Sequence, residues 1–196
     1  MTDRRSLRKT LRAARAGLSP LERRDASMRI AERVAQTHWL RPGTRVALYV
    51  AVTEEIDTSP LIALAMRRRA EIFLPRIERH RDRRMTFSPP GPHRRYNRYG
   101  IAEPDTKARM AASALQLIFV PLVGFDARGN RLGMGAGYYD QALAFRRHRQ
   151  HWLGPRLIGI GHSCQQVDAI DPTPSDIPLD AVVTERGIHV FRGENR

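Results

Sequence analysis

Val46-Ala47-Leu48-Tyr49-Val50 and Glu71-Ile72-Phe73-Leu74-Pro75 decide how this chain reads. Both are short, continuous apolar runs without polar alternation, which suits strands covered on both faces. Between them, Ser59-Pro60 sets a capping residue before a proline, and the pattern predicts a helix through about Arg69. Strand, helix and strand in this order make a parallel βαβ crossover. The expected class is therefore α/β.

The pattern extends in both directions. Upstream, Leu7, Leu11, Ala14 and Leu18 recur at spacings of three and four, which predicts a helix with one apolar stripe. Arg4, Arg8, Arg12 and Arg15 form a basic stripe beside it. Ser19-Pro20-Leu21-Glu22 is a capping box, opening a second helix to about Thr37 that buries Ala31 and Val34. Pro42-Gly43 marks a turn. Downstream, Arg76–Asp105 reads as an irregular excursion, with Met85-Thr86-Phe87 as a short edge strand. A helix is expected over Thr106–Ala114, strands at Leu117–Pro121 and Arg156–Ile160, and a helix over Tyr138–Arg149. Ala181–Val183 and Ile188–Phe191 read as a final hairpin. The expected architecture is a single domain, residues 1–196: a three-layer α/β/α sandwich with a mostly parallel central sheet.

Composition narrows the function. Hydrophobic residues make up 41% of the 196, enough for a core, so disorder of the whole chain is excluded. No apolar run is long enough to span a membrane, and the N-terminus lacks a signal-peptide core. Its Arg-rich, amphipathic character also resembles a transit peptide, although the same residues make sense as part of a site. Cys164 is the single cysteine, so no internal disulfide forms and a reducing cytoplasm is expected. The net charge of +14 favours polyanionic partners: nucleic acid, anionic lipid or ATP. A solvated basic surface gives the same count, and no nucleic-acid-binding motif accompanies it.

The segment Arg131-Leu-Gly-Met-Gly-Ala-Gly-Tyr-Tyr-Asp140 carries the chemistry. Alternating glycines before a helix let backbone N–H groups approach an anion closely. Arg131 adds a full positive charge, so the segment is a candidate phosphate cradle. It is neither a P-loop nor a dinucleotide fingerprint. A flexible turn is the alternative. Asp140 beside phosphate suits a carboxylate ligand of Mg²⁺, with a first-turn helix acid as its alternative reading.

The stretch Pro121–Asp140 strongly resembles the signature of the 5-formyltetrahydrofolate cyclo-ligase family. Arg4-Arg5-Ser6-Leu7-Arg8 resembles that family's N-terminal ATP-contacting motif. Thr53-Glu-Glu-Ile-Asp57 resembles its acidic folate-site motif, and Gln165 with Asp176–Asp180 its C-terminal motif. The resemblance implies conversion of 5-formyltetrahydrofolate and ATP to 5,10-methenyltetrahydrofolate, ADP and phosphate, with Mg²⁺. It implies ATP contacts from Arg4, Arg5, Ser6, Leu7 and Arg8, and from Arg131, Leu132, Gly133, Met134, Gly135, Ala136, Gly137, Tyr138 and Tyr139. It implies folate contacts from Val50, Glu55 and Met134–Tyr138; Gln165 and Asp180 match the C-terminal motif more weakly, with capping or orienting the last strand as the alternative for Asp180. Asp140 and Asp176 are the implied Mg²⁺ ligands, and Arg131 and Asp140 the implied catalytic pair. A monomer acting on folate, including polyglutamylated forms, is expected.

Some positions depart from the family pattern. Arg4 stands where Lys is usual, and Ala136 where Lys or Gly is common. Ser175 replaces a common His, and Cys164 a common aromatic. These departures keep open a folate- or nucleotide-binding relative with altered catalysis, and a basic nucleic-acid-binding protein is a more remote alternative. The seven histidines and one cysteine form no triad or zinc pattern, consistent with a reaction in which the substrate oxygen is the nucleophile.

Overall fold

The computed structural model describes residues 3–52, 55–148 and 154–191. Helices α1 (Arg4–Ala16) and α2 (Pro20–Ala35) precede β1 (Arg45–Ala47), α3 (Ser59–Arg67) and β2 (Glu71–Arg79). Two hairpins follow, β2 with β3 (Arg84–Ser88), and β4 (Arg94–Tyr96) with β5 (Ala102–Pro104). Then come β6 (Leu117–Pro121), β7 (Gly124–Asp126), β8 (Arg131–Leu132), α4 (Tyr138–Ala142) and β9 (Arg156–Ile160). The last strands are β10 (Gln166–Val167), β11 (Ala181–Val183) and β12 (Ile188–Val190). The main sheet has the order β12-β11-β9-β6-β1-β2-β3. All pairings from β11 to β2 are parallel, and the edge strands β12 and β3 are antiparallel.

Side chains alternate between two cores. Val46, Leu117, Phe119, Ile158 and Ile160 face α2 and α3, meeting Ile30, Val34, Leu61 and Leu64. Ala47, Ile118, Val120, Leu157 and Val182 face the other way, against Phe87, Phe125, Leu143, Ile177 and Leu179. The α/β class and mostly parallel sheet hold as read. The second covering layer is thinner than long helices would make it. It consists of α4, short 3₁₀ segments, loops and the small sheet β10-β7-β8.

Local differences have physical reasons. The Ser19–Glu22 capping box forms in both directions, with N···O distances of 3.2 and 2.8 Å. Ser59 is not the cap of α3: it is the first helical residue, and the Asp57 carboxylate accepts from its N–H at 2.9 Å. Strand β2 runs past Pro75 because its pairing with β1 ends at Phe73, so the missing proline N–H faces no ladder partner. The expected helix over Thr106–Ala114 is absent except for a 3₁₀ turn at Ala112–Ala114; Met110 bridges to Phe87 instead. The helix expected over Tyr138–Arg149 breaks after Ala142 into a 3₁₀ segment, Ala144–His148, and Arg149 lies outside the described residues.

The inward face of α1 differs from its apolar stripe. Ala14 is exposed, whereas Leu11 and Arg15 are buried and Arg4 and Arg8 are half-buried. Arg4, Arg8, Leu11 and Arg15 follow helical spacing and share that face. Leu7 and Leu11 anchor the helix on Val123, Leu132 and Ile170. Arg4 and Arg8 point inward because that part of α1 covers a cavity rather than a dry core.

Candidate active site

Strand β1 leads to β2 on one side, and β6, β9 and β11 continue on the other. The direction of winding therefore switches between β1 and β6, and ligands of open α/β sheets lie in the crevice beyond such strand ends. A cavity of about 950 Å³ occupies that position. Tyr49, Val50, Val52 and Glu55 reach it from the end of β1, and Pro121 and Leu122 from the end of β6. Arg131, Gly133–Asp140 and Asp176 form another wall, and Arg4 and Arg8 reach in from α1.

The glycine segment is a loop between β8 and α4. Gly135 and Gly137 have φ of +99° and +70°, which side-chain-bearing residues rarely adopt. Arg8 Nε donates to the Gly133 carbonyl at 2.8 Å, so α1 is tied directly to this loop. Because α4 has only five residues, its dipole adds little, and the charge around the loop comes from arginine side chains.

Each of the two candidate metal ligands has an arginine partner. Arg131 is buried; it donates to Asp140 Oδ1 at 2.5 Å and to the Ile177 carbonyl. Ile177 N–H also approaches Asp140 Oδ1, at 3.4 Å, which sets Asp140 next to the segment carrying Asp176. Arg4 donates to Asp176 Oδ2 at 2.6 Å and to the Asp171 carbonyl at 3.0 Å. Partial burial works to raise the Asp176 carboxyl, but hydrogen bonds from Arg4 and Thr173 outweigh it and hold it below the usual range. Asp140 Oδ2 and Asp176 Oδ1 have no hydrogen-bond partner among the described residues. Each carboxylate thus keeps an oxygen for a cation while paired to its arginine. Two hard oxygen donors on one wall, completed by phosphate oxygens and water, suit Mg²⁺.

Glu55 accepts from Val52 N–H at 3.1 Å. Burial first, and the charge of Glu55 second, push the phenols of Tyr49 and Tyr139 up, so both stay neutral hydrogen-bond donors. Tyr138 meets His80 Nδ1 at 2.7 Å and packs edge-on against His80 and Tyr99. Burial and contact with Tyr99 push its phenol up to about 12.

Several candidate residues face elsewhere. Leu132 and Leu7 pack in the apolar cluster under α1, so their side chains are turned from the cavity. Arg5 and Ser6 line a second cleft of about 790 Å³ on the outer side of α1. Gln165 is buried, donating to the Leu122 and Val123 carbonyls at 2.8 and 2.9 Å and accepting from His162 N–H at 2.7 Å. Asp180 accepts from Leu157 N–H at 2.7 Å and from Arg146 at 3.0 Å, joining the strands. His162 and Cys164 do not line the cavity. Thr53 and Glu54 lie outside the described residues.

Sequence reasoning missed the far wall. Asn97, Tyr99, Ile101 and Glu103 come from the β4–β5 hairpin, and Arg83 and Ile77 from β2 and its turn. Glu103 ties these pieces together, accepting from Ile77 N–H at 3.0 Å, Asn97 at 2.9 Å and Arg95 at 3.0 Å. Its near-complete burial is decided by long-range packing and leaves no periodic trace in an irregular, charged stretch.

The 5-formyltetrahydrofolate cyclo-ligase family model matches residues 1–185. The 5-formyltetrahydrofolate cyclo-ligase of Haemophilus influenzae is 31% identical, covering 90% of this chain and 94% of that protein. The Escherichia coli K12 enzyme of the same name is 32% identical over 89% and 96%. The solved 5,10-methenyltetrahydrofolate synthetase of Aquifex aeolicus superposes with a TM-score of 0.83 at 27% identity, covering 100% of this chain and 96% of that one. Among the described residues, no helix is long and apolar enough to cross a membrane. With a family match across residues 1–185 and named relatives covered almost end to end, this chain belongs to the 5-formyltetrahydrofolate cyclo-ligase family.

Proposed function

We propose that residues 1–196, acting as one unit, convert 5-formyltetrahydrofolate and ATP to 5,10-methenyltetrahydrofolate, ADP and phosphate, with Mg²⁺. The observation that carries this reading is the meeting of two clefts. The cavity beyond the sheet and the basic cleft along α1 share Arg8 and Met134 in their walls. Two large substrates can each take one cleft and react at the junction, beside the glycine loop.

In this reading the folate formyl oxygen attacks the γ-phosphorus, and the bond to the bridging oxygen breaks to release ADP. The folate N10 then attacks the activated carbon and loses its proton, and phosphate leaves. The nucleophiles belong to the substrate, so the protein's task is alignment and charge neutralisation. Arg131, fixed by Asp140 and the Ile177 carbonyl, supplies a positioned cation. Arg8 orients the loop through Gly133 and faces both clefts. Glu55, with the neutral phenols of Tyr49 and Tyr139, offers an acceptor and donors to the polar edge of a pterin. Asp140 and Asp176 would hold Mg²⁺, which when bound offsets charge on the transferring phosphate.

The test is spectrophotometric. Purified protein with 5-formyltetrahydrofolate should raise the near-ultraviolet absorbance of the methenyl product only when ATP and Mg²⁺ are both present. Absence of product with fresh substrate would sink the reading. Binding of both substrates without turnover would instead identify an altered relative.

A further inference from the structure

Arg83 belongs to the cluster Arg79–Arg84, which reads in sequence as a solvated surface. It ends the turn between β2 and β3, where its N–H donates to the His80 carbonyl at 3.2 Å. Its φ is +50°, a left-handed value uncommon outside glycine. Its side chain lies across the glycine loop. A Cβ built on Gly137 would stand 3.2 Å from Arg83 Nη1 and 3.6 Å from its Cδ. At Gly135 a Cβ would stand 3.7 Å from Arg8 Cζ. Two guanidinium groups, one from α1 and one from the β2–β3 turn, therefore rest against alternate glycines of one loop. Residues 132–137, Leu-Gly-Met-Gly-Ala-Gly, carry no cation of their own. Arg83 lines the cavity and makes no ion pair or side-chain hydrogen bond among the described residues.

We infer that Arg83 is a ligand of the transferring phosphoryl group, supplied in cis by the β2–β3 turn. The inference rests on the ATP-dependent reading above. As the bond from γ-phosphorus to the bridging oxygen breaks, its electron pair passes to ADP, and negative charge spreads over the oxygens in between. A planar guanidinium stabilises that distribution with parallel N–H donors. The loop contributes backbone donors, and Arg83 and Arg8 contribute the charge that the loop lacks.

Three variants test it. Arg83→Ala should lower kcat roughly 100-fold, weaken calorimetric binding of a non-hydrolysable MgATP analogue, and leave KM for the folate within about two-fold. Arg83→Lys should restore part of the loss, because charge returns without the fork. Arg83→Gly accepts the positive φ, so its melting temperature should equal or exceed that of the parent while turnover falls as in Arg83→Ala. Unchanged kcat in Arg83→Ala, or full turnover in Arg83→Gly, would overturn the inference. So would a defect confined to folate KM, which would assign the cation to the folate carboxylates. If the parent protein shows no turnover, the ATP-dependent reading fails separately. Calorimetry with a non-hydrolysable MgATP analogue, which carries the γ-phosphoryl, then decides on Arg83 alone: equal affinity in parent and Arg83→Ala overturns the assignment.

Discussion

Replacing Asp140 by Asn should damage both activity and stability, for separable reasons. The Arg131 side chain is 5% exposed and that of Asp140 is 28% exposed, with 2.5 Å between Nη2 and Oδ1. Removing one partner of a buried ion pair typically costs about 3–5 kcal/mol, because the other charge is left uncompensated. Asp140 is partly solvated, and Arg131 keeps the Ile177 carbonyl, so we expect about 2–3 kcal/mol. For a chain of this size that lowers the melting temperature by roughly 4–12 °C. Turnover should fall at least ~100-fold, since an implied metal ligand is lost and Arg131 is freed to move. Urea unfolding gives the first number and the methenyl assay the second. A double-mutant cycle with Arg131→Met should return a coupling of about 1 kcal/mol or more. A melting temperature unchanged within about 2 °C would refute the pair as a stabilising contact. Turnover within about tenfold of the parent would remove Asp140 from the reaction.

Asp126 is fully buried and accepts from the N–H groups of Arg128, Asn130 and Ile170 and from the Asn130 amide, all at 2.9–3.0 Å. Asp126→Ala strands these donors, so urea unfolding should show a loss of about 3–5 kcal/mol; a loss under about 1 kcal/mol would contradict the network's importance. Burial works to raise the Asp126 carboxyl, but these hydrogen bonds prevail and hold it below the ordinary value. Its folded pKa is therefore depressed. Its stability contribution is complete above about pH 4 and is lost as pH falls through the lower folded value. Asp126→Ala should accordingly show a flatter acid limb than the parent in urea midpoints measured from neutral to acid pH. Arg8→Ala should raise KM for ATP about tenfold with little change in melting temperature, because the side chain contacts the loop rather than a core; an unchanged KM would separate Arg8 from the nucleotide.

The legible parts of the fold were those with local causes. Short apolar runs gave the five parallel-paired strands of the main sheet, because burial on both faces removes polar residues from them; the short parallel pair of β7 and β10 was not read. The Ser19–Glu22 box formed as read, since its bonds span three residues. The helix expected over Thr106–Ala114 failed because packing of Met110 against β3 outweighed a modest helical preference. Strand β2 was read too short because Pro75 looks like a stop until its lack of a ladder partner on that side is seen.

The site divides the same way. Residues 131–140 advertise themselves by alternating glycines beside charge; that the arginine-bearing first helix and the acidic segments share their chemistry is what the family resemblance implied, not what spacing or charge determined. Only the tertiary structure decided their pairing: Arg131 with Asp140, Arg4 with Asp176, Arg8 with Gly133. It alone also brought Arg83 onto Gly137 and set the β4–β5 hairpin as the far wall. The physical reason is range. Glycine freedom, capping and apolar periodicity act over a few residues and leave a trace in the local sequence. A guanidinium that meets a carboxylate or a loop from a distant part of the chain is selected by the fold, and its own neighbours in sequence look the same as any charged surface.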